Sequence, residues 1–199
     1  MAIVWQTCLG VESYRAAGRA LEVPRFACPA CQQLMVYWGW YTRDLRVGEP
    51  AKLLVRRERC RPCDVTEAVL PSFAAYGRLD AVGVVGAALE AMGTKGATTA
   101  GTARALDVPR NTVRGWRQRF AERAQLLFTG FARAAVALAG ALPRLPGEPV
   151  AAAVAALRAA WAGALRRFGK AAGRCWRFAN ALVGSHLLTT NMDPPWRTG

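Results

Sequence analysis

Acidic residues are scarce in this chain of 199, 13 against 27 lysines and arginines, and histidine occurs once. Beyond Glu122 the only acids are Glu148 and Asp193. Phosphoryl transfer on paired metal ions needs several convergent carboxylates, and the second half cannot assemble them. The lone His186 closes an alanine-rich stretch and reads as a helix C-terminal residue near the favourable end of the dipole. No nucleophile–base pairing stands out, nor an arginine and histidine arrangement for a serine or tyrosine recombinase. "GTKGATT" lacks the G-x-x-x-x-G-K spacing of a phosphate loop. No apolar run reaches the roughly 18 residues of a membrane span; "VAAAVAAL" comes closest, and Arg158 interrupts it. "MAIVWQTCLG" lacks the basic start and apolar centre of an export signal. The expectation is a cytoplasmic, nucleoid-associated protein that is not an enzyme, with no membrane partner and no small-molecule substrate.

What is present is positive charge, +14 net with a pI near 10.7. Up to Ala103, twelve basic residues face nine acidic ones; from Arg104 onward, fifteen face four. So lopsided a surplus calls for a polyanionic partner, most often nucleic acid. Hydrophobic residues make up 53%, enough for a buried core, although much of that is alanine, which favours helix more than burial.

The pattern predicts a mainly α protein with a small β zinc ribbon near the N-terminus, then a helix-turn-helix domain and an Ala-rich helical C-terminal region. The organisation reads as 1–72 (N-terminal helix and ribbon), 78–128 (helix-turn-helix), 129–188 (helical region) and 189–199 (extended tail). Ala2 to Trp5 is a short apolar stretch, and a helix is expected from Val11 to Leu21. "LMVYWGWY" and "KLLVRRERC" read as two strands joined at "RVGEP". "VLPSF" reads as an exit linker. Val82, Val85, Leu89 and Met92 recur at helical spacing. Further helices are expected over Thr99–Leu106 and Pro109–Phe128, with Pro109 at N1. Others follow at roughly 130–142, 149–168 and 171–188. Trp161, Leu165, Phe168, Trp176, Phe178, Leu182 and Leu187 would form an apolar core, or an interface for a homodimer.

Four of the six cysteines form two pairs, Cys28-x-x-Cys31 and Cys60-x-x-Cys63, separated by a segment that reads as a hairpin. Two such knuckles offer the four tetrahedral thiolates of a structural Zn²⁺ site, with no position left open for catalysis. A redox pair would need a βαβ context that is absent. Arg56, Arg57, Arg59 and Arg61 flank the second knuckle as a secondary basic surface, either solvated or in contact with a partner. Cys8 and Cys175 have no nearby mate and read as buried small apolar residues.

"TTAGTARALDVPRNTVRGWRQRF" carries the clearest functional pattern. Ala103 stands where a helix-turn-helix needs a small residue, and Val108, Val113 and Trp116 where apolar residues hold its second helix. On that helix Val113, Trp116 and Phe120 share one face, and Arg110, Arg114 and Arg117 another. Between 110 and 123, five arginines face one glutamate, whereas a merely solvated face mixes signs. Arg110, Asn111 and Arg114 are the residues placed to reach base edges; Thr112, Arg117, Gln118 and Arg119 are placed for the DNA backbone. Arg119 and Arg123 extend the basic surface. Asp107 takes the turn position usual for glycine, which aspartate tolerates better than most residues.

"CPAC", "YWGWYTRDL", "RERCRPCDVTEAVLPSF", "AVGVVGAALEA" and "DVPRNTVRGWRQRF" together resemble proteins of actinobacterial insertion sequences and transposons that pair a cysteine ribbon with a helix-turn-helix. The resemblance covers about residues 26–125. It implies association with DNA transposition, beside a separately encoded transposase, and supplies no catalytic site. The reading is a sequence-specific double-stranded DNA-binding protein of a mobile element, recognising element ends. The alternatives are a helix-turn-helix transcriptional regulator, and a protein-interaction adaptor with secondary, non-specific DNA binding.

Overall fold

A computed structural model describes residues 2–189. Apart from Thr189, the tail expected over 189–199 lies outside the described residues. The order is β1 (Ala2–Trp5), α1 (Val11–Ala17), β2 (Val36–Val47), β3 (Glu49–Cys60), β4 (Val65–Pro71), α2 (Val82–Thr94), α3 (Thr99–Ala105), α4 (Arg110–Ala139), α5 (Pro149–Phe168) and α6 (Cys175–Leu182). Short 3-10 turns follow α1 and α5.

The β portion is larger than a hairpin. Its four strands are ordered β1-β4-β3-β2, with β1 parallel to β4 and the other pairs antiparallel. "VLPSF" is therefore not an exit linker: Val65–Pro71 is the sheet's third antiparallel strand, and Ser72 and Phe73 are buried behind it. Its proline is tolerated at the last position of the strand, beside edge strand β1. Tyr14, Leu45, Leu53, Val55, Leu70 and Phe73 form the core between sheet and α1, and the Tyr14 and Phe73 rings meet edge to face at 5.4 Å.

A second core joins the helices. Val85, Leu89, Val113, Trp116, Phe120, Leu127, Phe131, Val154, Leu157 and Trp176 are buried in it. The break expected near residue 129 does not occur, and α4 continues unbroken to Ala139. Gly130 is buried on the face that carries Leu127 and Phe131, so burial outweighs its poor helix propensity. Val150 meets Gly93 beside the middle of α4, and Gly163 meets Leu138 at its end, so α5 runs in the same direction as α4. The expected 171–188 helix shrinks to Cys175–Leu182, bounded by Gly173 and by Gly184 and Ser185, all at positive φ.

The C-terminal elements return to the sheet. Asn180 donates to the carbonyls of Ser72 and Ala74, each at 3.1 Å, and Arg177 donates to that of Leu9 at 2.7 Å. Arg46 pairs with Asp80 at 2.6 Å. Of the expected C-terminal core, Trp176 and Leu187 are buried, Trp161, Leu165, Phe178 and Leu182 are half-buried, and Phe168 is exposed.

Candidate nucleic-acid interface and metal centre

The two knuckles come together at one end of the β2–β3 hairpin. The Sγ atoms of Cys28, Cys31, Cys60 and Cys63 all lie within 4.8 Å of one another. Cys28 and Cys63 are 4.0 Å apart, and Cys31 and Cys60 are 3.4 Å apart. A tetrahedral Zn²⁺ with sulfur ligands at about 2.3 Å needs sulfurs about 3.8 Å from one another. The geometry therefore fits a metal ion such as zinc. In each knuckle the residue after the second cysteine, Gln32 or Asp64, takes a positive φ and turns the chain. Cys28 N–H donates to the Gln33 carbonyl at 2.8 Å, which closes the first loop.

The thiols are set against one another. The backbone N–H of Cys31, aimed at Cys28, holds its thiol down at about 7 against the opposing effect of burial. The sulfurs of Cys31 and Cys60, then burial, push Cys63 up to about 12. Four thiolates this close repel one another, and a divalent cation removes that conflict. The other two cysteines stand apart from the cluster. Cys8 is exposed, contrary to expectation, because it lies in the open turn after β1. Cys175 is half-buried, and burial raises its thiol to about 12.

The second site is built on α2, α3 and α4. The Thr98 hydroxyl caps α3, accepting from Gly101 N–H at 3.1 Å. The chain turns through Leu106, Asp107, Val108 and Pro109. Asp107 adopts φ 50°, and Val108 N–H donates to the Ala103 carbonyl at 3.0 Å. Ala103, Val108, Val113, Trp116 and Phe120 are buried, so the small residue and the apolar face stand where the turn needs them. Pro109 is the N-cap of α4 rather than N1, since its ψ of 134° is extended.

With Val113 and Trp116 facing inward, α4 turns Arg110, Asn111, Arg114 and Arg117 to solvent. Among the described residues these three arginines make no ion pair. Thr112 is half-buried. Gln118 is exposed but bonded along the helix to Glu122 at 3.0 Å. Arg119 is half-buried and folds back over Gly115. Arg123 does not extend the surface: three residues after Phe120, it shares the inward face and is only 6% exposed.

The ribbon arginines divide. Arg57 and Arg61 are exposed. Arg56 is structural: it donates to the Val23 carbonyl at 2.9 Å and pairs at 3.1 Å with Glu58, which is fully buried. Arg59 pairs with Asp64 and lies 4.5 Å over the Trp38 ring. Sequence reasoning took "YWGWY" only as a strand and missed the exposed Tyr37 and Trp38. Gly39 inside the run was the available sign of a bulge. His186 is not a helix-end residue. It lies beyond α6, only 6% exposed, with Nδ1 3.2 Å from Thr189 Oγ1, and burial followed by the charge of Arg123 lowers its pKa.

Residues 86–127 match the family model of a homeodomain-like domain. That span takes in most of α2, the whole of α3 and the first half of α4, so the three helices form a helix-turn-helix of the DNA-binding type. No curated protein and no solved structure matches the chain. No helix among the described residues is long and apolar enough to cross a membrane.

Proposed function

We propose that this chain is a sequence-specific DNA-binding protein of a mobile element, one that recognises the element's ends and recruits or positions a separately encoded transposase. The supporting observation is the start of α4, where Arg110, Asn111, Arg114 and Arg117 stand exposed directly after the turn. Arg110 and Asn111 in the first turn suit base edges, since arginine pairs bidentately with guanine and asparagine with adenine. Arg114 joins them one turn on, and Arg117 suits phosphates. Of the remaining expected contacts, Thr112 and Arg119 are half-buried and Gln118 is tied to Glu122, so they carry less of the reading.

A structural Zn²⁺ on Cys28, Cys31, Cys60 and Cys63 would fix the hairpin. With thiolates on all four sides it would offer no catalytic position. The reading assigns the chain no chemistry of its own, in keeping with the scarcity of acids beyond Glu122. The mobile-element context rests on the resemblance of the cysteine and helix-turn-helix segments.

Selection of bound sequences from a random duplex library, with zinc-loaded protein at about 150 mM salt, tests the reading, because affinity at an unstated salt is uninterpretable. The expected outcome is a defined motif that maps to element termini, palindromic if the protein binds as a homodimer. A motif that maps to promoters would make it a transcriptional regulator. Binding without any motif would leave an adaptor with non-specific DNA affinity.

A further inference from the structure

The ribbon carries a feature that the duplex-reading helix does not use. Tyr37 pairs with Glu58 and Gly39 with Arg57, so Trp38 is the extra residue of a β-bulge. Bulges redirect a side chain out of the pleat, and here the redirected residue is an indole left 52% exposed. The Arg59 guanidinium lies 4.5 Å from the centre of that ring and is held by Asp64. Arg57 and Arg61, two residues before and after Arg59 in the chain, are both exposed and without an ion pair among the described residues. Two acids of the same stretch of chain are already engaged: Glu58 with Arg56 and the Phe26 N–H, and Asp64 with Arg59. Met35, three residues before Trp38, is fully buried against Cys28 and Cys60, so the bulge lies at the cysteine-cluster end of the hairpin.

We propose that Trp38, with Arg57 and Arg61, is a second nucleic-acid contact: a platform on which an unpaired base of single-stranded DNA stacks against the ring face opposite Arg59 while Arg57 and Arg61 hold its phosphates. The unneutralised charge of Arg57 and Arg61 favours a polyanion, since arginine makes its strongest hydrogen bonds to phosphate and carboxylate groups and each phosphate contact releases counterions. The ring favours a base, because every base offers a π-face and stacking tolerates any sequence. It favours an unpaired base, because within a duplex those faces are covered by neighbouring pairs. The site rests on the reading of the chain as a DNA-binding protein, but it is physically separate from α4 and separable from it by experiment.

The test measures full-length, zinc-loaded protein against two labelled probes at about 150 mM salt: a selected duplex and an oligothymidine of about 16 nucleotides. Trp38→Ala is expected to weaken oligothymidine binding roughly ten-fold and leave duplex binding unchanged. Arg110→Ala is expected to do the reverse. Trp38→Phe should bind oligothymidine nearly as wild type does, yet lose part of the tryptophan quenching that the oligomer causes. This second variant keeps the test decisive if the alanine variant fails to hold zinc. Oligothymidine binding that survives Trp38→Ala overturns the platform, including the case in which Arg57→Ala or Arg61→Ala alone weakens it and the patch is purely electrostatic. Equal loss on both probes in a variant that still holds zinc also overturns it, as does wild-type protein that binds no oligothymidine. Retained duplex binding in that last case leaves the α4 reading standing, whereas an Arg110→Ala variant with normal duplex affinity and specificity removes that reading instead.

Discussion

Gly86 on α2 stands directly against the indole of Trp176 on α6: a Cβ at Gly86 would lie 2.1 Å from Trp176 Cγ. One turn along α2, Glu90 accepts from Trp176 Nε1 at 3.0 Å and from Arg158 of α5 at 2.7 Å. The first helix of the DNA-binding unit is thereby locked to the C-terminal helices by one close approach and one shared carboxylate. Gly86→Ala must displace the ring, and we expect a loss of about 2 kcal/mol or more, read as a lower urea midpoint. Trp176→Ala should cost about 3–5 kcal/mol. The two changes should combine to less than their sum, since each relieves part of the other's damage. A Gly86→Ala variant as stable as wild type would contradict the contact.

Zinc should bind at one ion per chain. Replacing any one of Cys28, Cys31, Cys60 or Cys63 by serine should abolish stoichiometric zinc and lower stability by at least about 3 kcal/mol. Cys8→Ser and Cys175→Ser should retain the metal, because neither belongs to the cluster. Metal content and thermal melting of the six variants check this, and zinc retained by the single-cysteine ribbon variants would refute the four-sulfur site.

The exposed residues of α4 should separate by role. Arg110→Ala or Asn111→Ala should cost about 1–3 kcal/mol on the preferred duplex and relax the base preference at one position. Arg117→Ala should weaken all duplexes alike and lower the salt slope by about one unit. Gln118→Ala should change little, since its amide is already bonded to Glu122. Titrations of matched and single-mismatch duplexes at several salt concentrations distinguish these patterns.

His186 should make the fold sensitive to mild acid. Burial, then the charge of Arg123, lowers its folded pKa below the ordinary value of 6.5. The unfolded chain therefore takes up the proton first as pH falls. Stability is fully present above the unfolded pKa and is lost as pH drops from there through the folded pKa. Melting temperature should decline between about pH 7 and pH 5, and His186→Gln should flatten the decline, since the chain has no other histidine. An identical slope in both proteins would mean that other groups carry it.

The pattern around Asp107 shows how far local chemistry reaches. Asp107 in the turn, Ala103 before it and the inward Val113–Trp116–Phe120 face are all found as periodicity and turn preference require, because a short helix pair is held by neighbours in sequence. The Pro71 region shows the limit. "VLPSF" has the composition of a linker, yet it pairs with β1 and β3, both distant along the chain, and nothing local encodes that pairing. The same holds for Arg56 and Arg123. As letters they match their solvent-facing neighbours, but their side chains are taken into the interior by Glu58 and by the inward face of α4.

By itself the sequence determined the two cysteine knuckles, the helix-turn-helix and the concentration of positive charge beyond Arg104, because each depends on residue type at short spacing. Only the tertiary structure decided which arginines remain on the surface, that the ribbon hairpin is half of a four-stranded sheet, and that a bulge turns Trp38 outward. It also decided that α6 folds back onto α2 and the sheet. Those outcomes depend on long-range strand pairing and on competition for a shared interior, where burial outweighs the local preference of any one residue.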